Sequence, residues 1–325
     1  MHSVLAQGRG AALAGPSGSR AAPPRAPRCR FHATAQPAAA EAAAGSPLSQ
    51  QQVEAFWRDG FVVVPGFASP EEVAALRARA EALVDSFDPA TVSIFSTKDD
   101  NQAQSKDPYF LESASKISFF FEEKAFDASG ALRQPKRLSI NKIGHALHDL
   151  DPAFSAYSRS PKMAAVLRAL GLRAPAPVQS MYIFKQPRIG GEVVPHQDST
   201  FLWTDPPSCV GAWLALEDAD RSNGCLWGLR GVHTKGVARR FVRGPEGQLV
   251  FTAPAPDYDL SQFDPIEVAA GTLVLLHGAN VHYSGENTSP VSRHSYTLHF
   301  VESGLPWSPE NWAQRPPDFP WRPLY

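Results

Sequence analysis

His196 and Asp198 stand one residue apart in the stretch GGEVVPHQDSTFLWTDP, residues 190–206. Chance alone supplies such a pair in a chain of this length, and a His and an Asp hydrogen-bonded to backbone at a strand end would read the same. Geometry gives the pair more weight. In an extended chain residues i and i+2 project to one side, so an imidazole and a carboxylate converge on one point. One more histidine would complete a two-histidine, one-carboxylate set, which fills three positions of Fe(II) and leaves three open. Three open positions are what dioxygen and a bidentate co-substrate need.

The third ligand must come from a distant strand. Two candidates share the segment LLHGANVHYSGENTSPVSRHSY: His277, which ends the run GTLVLLHG, and His282, five residues on. Arg293 lies eleven residues beyond His282 and starts the next strand, RHSYTLHF. If these two strands pair, a guanidinium projects beside an imidazole. A fixed guanidinium near a metal grips a carboxylate by two parallel hydrogen bonds. This arrangement favours His282 and leaves His277 a structural role. His233 reads as structural or as a rim residue. His145, His148, His294 and His299 have no partner spacing that argues for metal. Phe201 and Trp203 would wall a pocket or equally fill a core.

The elements that must position these residues are legible in outline. LSQQQVEAFWRDG reads as a helix capped by Ser49 and stopped by Gly60, followed by the β-branched strand FVVVPGF. In SPEEVAALRARAEALVDSF, Ser69 is the N-cap, Pro70 takes the first helical position and Glu72 completes a capping box. Residues 86–115 are polar and irregular, a surface loop by this reading. KISFFFEEKAFDASGAL is a strand with a glycine turn, INKIGHALHDLDP is ambiguous, and SPKMAAVLRALGL is a helix from Ser160 to Gly171. After Pro175 short apolar runs alternate with turn clusters, NGCLW among them, the pattern of an antiparallel sandwich or barrel. The expectation is one domain over 48–325, mainly β with flanking helices.

Bulk properties narrow the function. The chain has 325 residues, 43% hydrophobic and 19% charged, with a formal net charge of −1. Nothing there suggests a nucleic-acid partner, and no apolar run reaches the ~20 residues of a membrane span. Cys29, Cys209 and Cys225 make neither a disulfide framework nor a zinc pattern, and read as reduced thiols. Residues 1–47 are rich in Ala, Gly, Pro and Ser, carry Arg9, Arg20, Arg25, Arg28 and Arg30, and have no acid before Glu41. That composition is expected of an organellar transit peptide, mitochondrial or chloroplast, and would be cytoplasmic context if the leader has no address.

The stretches KIGHALHDLDP, QSMYIFKQP, GGEVVPHQDSTFLWTDP, EDADRSNGCLWGLRGVHTKGVARR, GTLVLLHGANVH and WSPENW carry a family resemblance. The chain resembles the Fe(II)/2-oxoglutarate dioxygenases of the phytanoyl-CoA dioxygenase family, in the branch of domain-containing proteins, from about Leu48 to the C-terminus. The resemblance implies a double-stranded β-helix, or jelly-roll, core. It implies His196, Asp198 and His282 as iron ligands and Arg293 as the clamp on the far carboxylate of 2-oxoglutarate. It also implies Lys142, Met181, Trp213 and Ser284 as lining of the co-substrate pocket. Residues 86–106 and 244–262 match loosely. Asp198 is present, where a halogenase of this fold has lost that carboxylate.

The implied chemistry is hydroxylation of an unactivated C–H bond in a small molecule by iron, 2-oxoglutarate and O2, with release of succinate and CO2. The family name suggests a branched acyl substrate, but no localised basic cluster marks a seat for a CoA phosphate tail. Two other readings stay open. A cupin-like metal hydrolase would use the same triad but leave Arg293 unexplained. A non-catalytic jelly-roll binding module would have no need of an intact triad and clamp.

Overall fold

The computed structural model describes residues 47–89, 92–98 and 107–325. The expected leader therefore lies outside the described residues. No helix among those described is long and apolar enough to cross a membrane.

The chain enters through α1 (Gln50–Asp59), whose Ser49 capping box is closed by Gln52. Gly60 ends it at φ 85°. A Cβ at Gly60 would also lie 2.5 Å from Asn280 Nδ2 and 2.6 Å from His233 Nδ1, so this turn needs glycine both for its backbone and for space. Strand β1 (Phe61–Val64) follows, then α2 (Pro70–Ser86) with the Ser69–Glu72 box in place. The region read as an irregular loop holds one turn of helix, α3 (Pro108–Glu112), because Asp107 accepts from Tyr109 N and Pro108 follows it. A five-residue helix has too few apolar repeats to be seen by periodicity.

Strand β2 (Ile117–Phe121) precedes the ambiguous segment, which divides into strand β3 (Ile140–His145) and a short helix α4 (Leu147–Leu150). Helices α5 (Pro152–Ser158) and α6 (Pro161–Ala169) complete the outer layer. The remainder is strand: β4 (Pro175–Ile183), β5 (Val193–His196), β6 (Val210–Ala215), β7 (Leu226–Gly228), β8 (Phe241–Arg243), β9 (Leu249–Phe251), β10 (Asp264–Ile266), β11 (Leu273–His277), β12 (His282–Ser284) and β13 (Ser295–Glu302).

Seven strands form one sheet, in the order β1-β11-β6-β13-β4-β3-β2. Four form the facing sheet, β10-β7-β12-β5, and β8-β9 is a separate hairpin. All paired strands run antiparallel. Two layers of this kind match the expected jelly roll.

The large sheet has two different faces. Its outer face carries Val62, Leu214, Leu275, Tyr296, Leu298 and Phe300, which join Phe56, Leu76, Ala80 and Phe154 of the helices in the main apolar core. Each such side chain, fully buried, is worth ~1.5–3 kcal/mol of transfer free energy. Its inner face meets the small sheet. At one end Phe61, Trp213, Val274 and Leu276 pack on Leu226 and Ile266. Elsewhere the inner face is polar: along β13, Ser295, Thr297 and His299 alternate with the apolar outer residues and are all buried. A buried polar row needs partners, and Ser295 and His299 have them inside the barrel.

Candidate metal centre and anion pocket

His196 ends β5, and Asp198 opens a single helical turn, Asp198–Thr200. Gln197 between them is extended at φ −121°, ψ 133°, so the two flanking side chains keep the common face of a strand although the strand has ended. Gln197 itself turns the other way. Its amide donates to Gly236 O and Ala279 O and accepts from Ala238 N, which ties two loops to the site. Strand β12 pairs with β5 and sets His282 opposite His196.

The two imidazoles and the carboxylate form one group, with a ligand atom of each within 4.8 Å of the others. The His196 and His282 ring centroids are 4.3 Å apart, and each Nε2 lies 3.7 Å from Asp198 Oδ1. Each histidine donates Nδ1–H to the backbone carbonyl two residues before it: His196 to Val194 at 2.9 Å, His282 to Asn280 at 3.4 Å. A carbonyl can only accept, so in the neutral form of each ring Nε2 is the nitrogen that carries the lone pair, on the side of the carboxylate.

Burial and the neighbouring His282 push His196 down to about 4, so it is neutral near pH 7. Burial works to raise Asp198, but His299, His282 and His196 outweigh it and hold the carboxylate well below its usual range. Its Oδ2 is buried and accepts no hydrogen bond.

His277 is not part of this group. It packs against Phe56, Trp57 and His233, accepts at Nδ1 from Ala279 N, and is pushed by burial down to about 3. His233 donates from Nε2–H to the Trp57 carbonyl at 3.0 Å, within the same helix. Both histidines fasten α1 to the barrel.

Arg293 is held differently from the expectation. It lies just before a strand, β13 (Ser295–Glu302), that does not pair with the strand of His282: β13 belongs to the large sheet and β12 to the small one. The guanidinium instead reaches across the interior. It donates from Nε to Gly224 O at 3.0 Å, from Nη1 to Ser295 Oγ at 2.7 Å and from Nη2 to Ser284 Oγ at 3.2 Å. The Trp213 ring backs it at 5.3 Å. Arg293 is 1% exposed, and among the described residues no carboxylate lies within ion-pair distance of it. Burial pushes it down to about 10.

The other expected pocket residues form a row across adjacent strands. Gly144, Met181, Thr297 and Trp213 are successive register partners on β3, β4, β13 and β6. Lys142 enters beside this row, with Nζ 3.9 Å from Met181 Sδ and 3.1 Å from the centre of the Phe95 ring. Burial pushes Lys142 down to about 7. The Thr297 hydroxyl, mid-row, is buried without a hydrogen-bond partner.

Three comparisons fix the relationship of this chain to known proteins. The phytanoyl-CoA dioxygenase (PhyH) family model matches residues 56–295. The chain belongs to the phytanoyl-CoA dioxygenase family. Phytanoyl-CoA dioxygenase 1 of Oryza sativa subsp. japonica is 53% identical over 283 residues, covering 87% of this chain and 98% of that one. Phytanoyl-CoA dioxygenase domain-containing protein 1 of Bos taurus is 49% identical over 287 residues, covering 86% and 99%. Among solved structures, EctD from S. alaskensis with bound Fe has a TM-score of 0.57 at 21% identity, covering 84% of this chain and 83% of that one. The epimerase SnoN in complex with Fe3+, alpha ketoglutarate and nogalamycin RO has a TM-score of 0.55 at 15% identity, covering 85% and 98%. At these identities the structural likeness shows the fold.

Within this family member, sequence reasoning missed three buried polar groups. Lys185 donates to Gly191 O at 2.7 Å and sits 3.4 Å from Ser284 O, next to the guanidinium. Burial and the charge of Arg293 push it well below the usual lysine range. Glu122 accepts from Asn141 Nδ2 and Gly191 N, and burial raises it. His299 meets Asp198 Oδ1 through Nε2 at 3.2 Å. No local spacing marks Lys185 or Glu122. His299 carries a signal: Ser295, Thr297 and His299 recur every second residue through a strand whose other face is apolar.

Proposed function

We propose that this protein is an Fe(II)- and 2-oxoglutarate-dependent dioxygenase that hydroxylates an unactivated C–H bond of a small molecule, acyl or lipid-like in class. His196, Asp198 and His282 would hold the metal. The donor set fits a ferrous ion: two imidazole nitrogens with bare lone pairs, one ionised carboxylate, and an orphaned carboxylate oxygen beside them. With iron, 2-oxoglutarate and O2 together, the chemistry supplied is oxidation of the co-substrate to succinate and CO2 coupled to oxygen insertion.

The observation that carries this reading is Arg293. A guanidinium enclosed in protein, held in fixed orientation by two hydroxyls, a carbonyl and an indole face, calls for an anion to compensate it. The far carboxylate of 2-oxoglutarate would meet that need while its other end reaches the metal. Lys142 and Lys185 add two more buried amines against the single buried carboxylate of Glu122. A dianion entering there would draw both amines back toward their charged forms. A hydrolase using the same triad has no role for this pocket.

The substrate class rests on the narrow, solvent-open cleft beside His196, where Pro195, Phe201, Phe251, Pro256 and Tyr258 stand with Gln197, Thr200 and Arg239. Its aromatic and proline walls suit an apolar body and limit water near the metal. The leader of residues 1–47 we read as an organellar address. That reading is supported by its arginine-rich composition with no acid before Glu41.

The test is succinate formation by the purified protein with Fe(II), 2-oxoglutarate and O2, which occurs at a low uncoupled rate without substrate. Asp198→Ala is expected to abolish it. Absence of any metal-dependent succinate from the folded wild type would remove the dioxygenase reading.

A further inference from the structure

Strand β13 delivers one more inward-facing residue than the site has used. His299 is 4% exposed and stands in register with Gly211 of β6. Its Nε2 lies 3.2 Å from Asp198 Oδ1, closer than the Nε2 of either His196 or His282. His299 lies outside the group whose ligand atoms all fall within 4.8 Å of one another. It therefore addresses the carboxylate and not the point where the donors meet. Since a carboxylate oxygen can only accept, the Nε2–H donates. The other ring nitrogen, Nδ1, is buried and makes no hydrogen bond, so the ring is fixed at one end only, by Asp198.

The carboxylate is seated from the opposite side by an absence of side chain. A Cβ on Gly211 would come within 2.8 Å of Asp198 Oδ2 and 3.7 Å of His299 Cδ2. Gly211 thus leaves the space that the carboxylate and the imidazole share on the inner face of the large sheet. The main chain of Asp198 belongs to the turn after β5, where Phe201 N and Leu202 N bond to its carbonyl. Its side chain would otherwise be free to rotate about two bonds. At 3.2 Å the contact lies at the long end of the N–H···O range, and the buried, low-dielectric site strengthens its electrostatic part.

We propose that His299 is a positioning residue: by donating to Asp198 Oδ1 it fixes the carboxylate in the rotamer that faces His196 and His282, and so sets the affinity of the site for its divalent metal. This inference rests on reading those three residues as the metal ligands. Groups that orient a ligating side chain typically change metal affinity by ~10–100-fold when removed. Losing the donor while filling the volume is the informative change.

The experiment is calorimetric titration of Mn(II), as a redox-inert divalent probe, into the wild type, His299→Leu and His299→Gln, without 2-oxoglutarate. Thermal unfolding of each metal-free protein is measured alongside. Gln places an N–H donor near the position of Nε2, whereas Leu fills space without donating. The expected result is metal binding weakened ~10–100-fold in His299→Leu and largely restored in His299→Gln. Both variants should unfold near the wild-type temperature. Equal affinity of wild type and His299→Leu overturns the proposal, and so does a loss that His299→Gln fails to repair. A wild type that binds no Mn(II) removes the metal-site reading itself and this inference with it.

Discussion

At one end of the barrel interior a carboxylate is ringed by three imidazoles, those of His196, His282 and His299. At the other a guanidinium, Arg293, is ringed by two hydroxyls, a carbonyl and an indole. The first end is a small anionic centre whose His196, His282 and Asp198 come from the four-stranded sheet and the turn that follows β5, with His299 reaching in from β13. The second is a cationic pocket drawn mostly from the seven-stranded sheet. Their charges are complementary to different parts of one ligand set, a divalent cation and a dicarboxylate. They also differ in how concentrated they are. The metal end depends on three donor atoms at one point, whereas the anion end spreads its charge over Arg293, Lys142 and Lys185, with Glu122 opposing. Loss of His196, Asp198 or His282 should therefore be all-or-none, and changes at His299 or at the anion end graded.

Arg293→Ala is the largest of the graded effects. It removes the only guanidinium of the pocket, and the KM for 2-oxoglutarate should rise about 100-fold or more with a smaller change in kcat, as steady-state succinate assays would show. A fall in kcat at unchanged KM would place Arg293 outside the co-substrate pocket.

Lys185 and Glu122 sharpen the electrostatic side of the comparison because they predict opposite signs. Lys185→Met should weaken 2-oxoglutarate binding about tenfold, and Glu122→Gln, by lifting the opposing charge, should tighten it by a similar factor. Calorimetry on both variants reads this directly. Two changes of the same sign would mean that the pair merely holds Gly191 and the loop before β5.

The smallest expected effect concerns Lys142, whose amine is pushed by burial down to about 7. In the unfolded chain it titrates in the ordinary lysine range. Between those two values the native state binds fewer protons, so stability rises with pH. Below about 7 the native state carries the full penalty of a buried ammonium. Lys142→Met should thus raise the melting temperature of the ligand-free protein most at pH 6, with the gain shrinking steadily up to pH 10. A gain that does not vary with pH would assign the effect to packing against Phe95 and Met181.

The same contrast explains what could be read from the chain. The metal end was legible because two of its three ligands are neighbours: the i, i+2 geometry of His196 and Asp198 survives even though the strand ends between them. The cap at Ser49 and the capping box at Ser69 were legible for the same reason, being local. Arg293 was found by its spacing from His282, but the route was wrong. It was expected to arrive by strand pairing and instead crosses between sheets. Lys185 meets Arg293, Glu122 meets Gly191 and His299 meets Asp198 across more than sixty residues of sequence in each case, and no short window contains both partners. The alternation along β13 was visible, yet it reads as a half-exposed strand until the second sheet covers its polar face.

The central claim is that these two ends form one site, filled by a metal and a dicarboxylate that contact each other. Titrating 2-oxoglutarate into the protein with and without saturating Mn(II), under anaerobic conditions, tests it most directly. The account predicts binding at least ~10-fold tighter with metal present, reciprocally for metal with 2-oxoglutarate present, and loss of this coupling in Asp198→Ala. Identical 2-oxoglutarate affinity in the presence and absence of metal would contradict it.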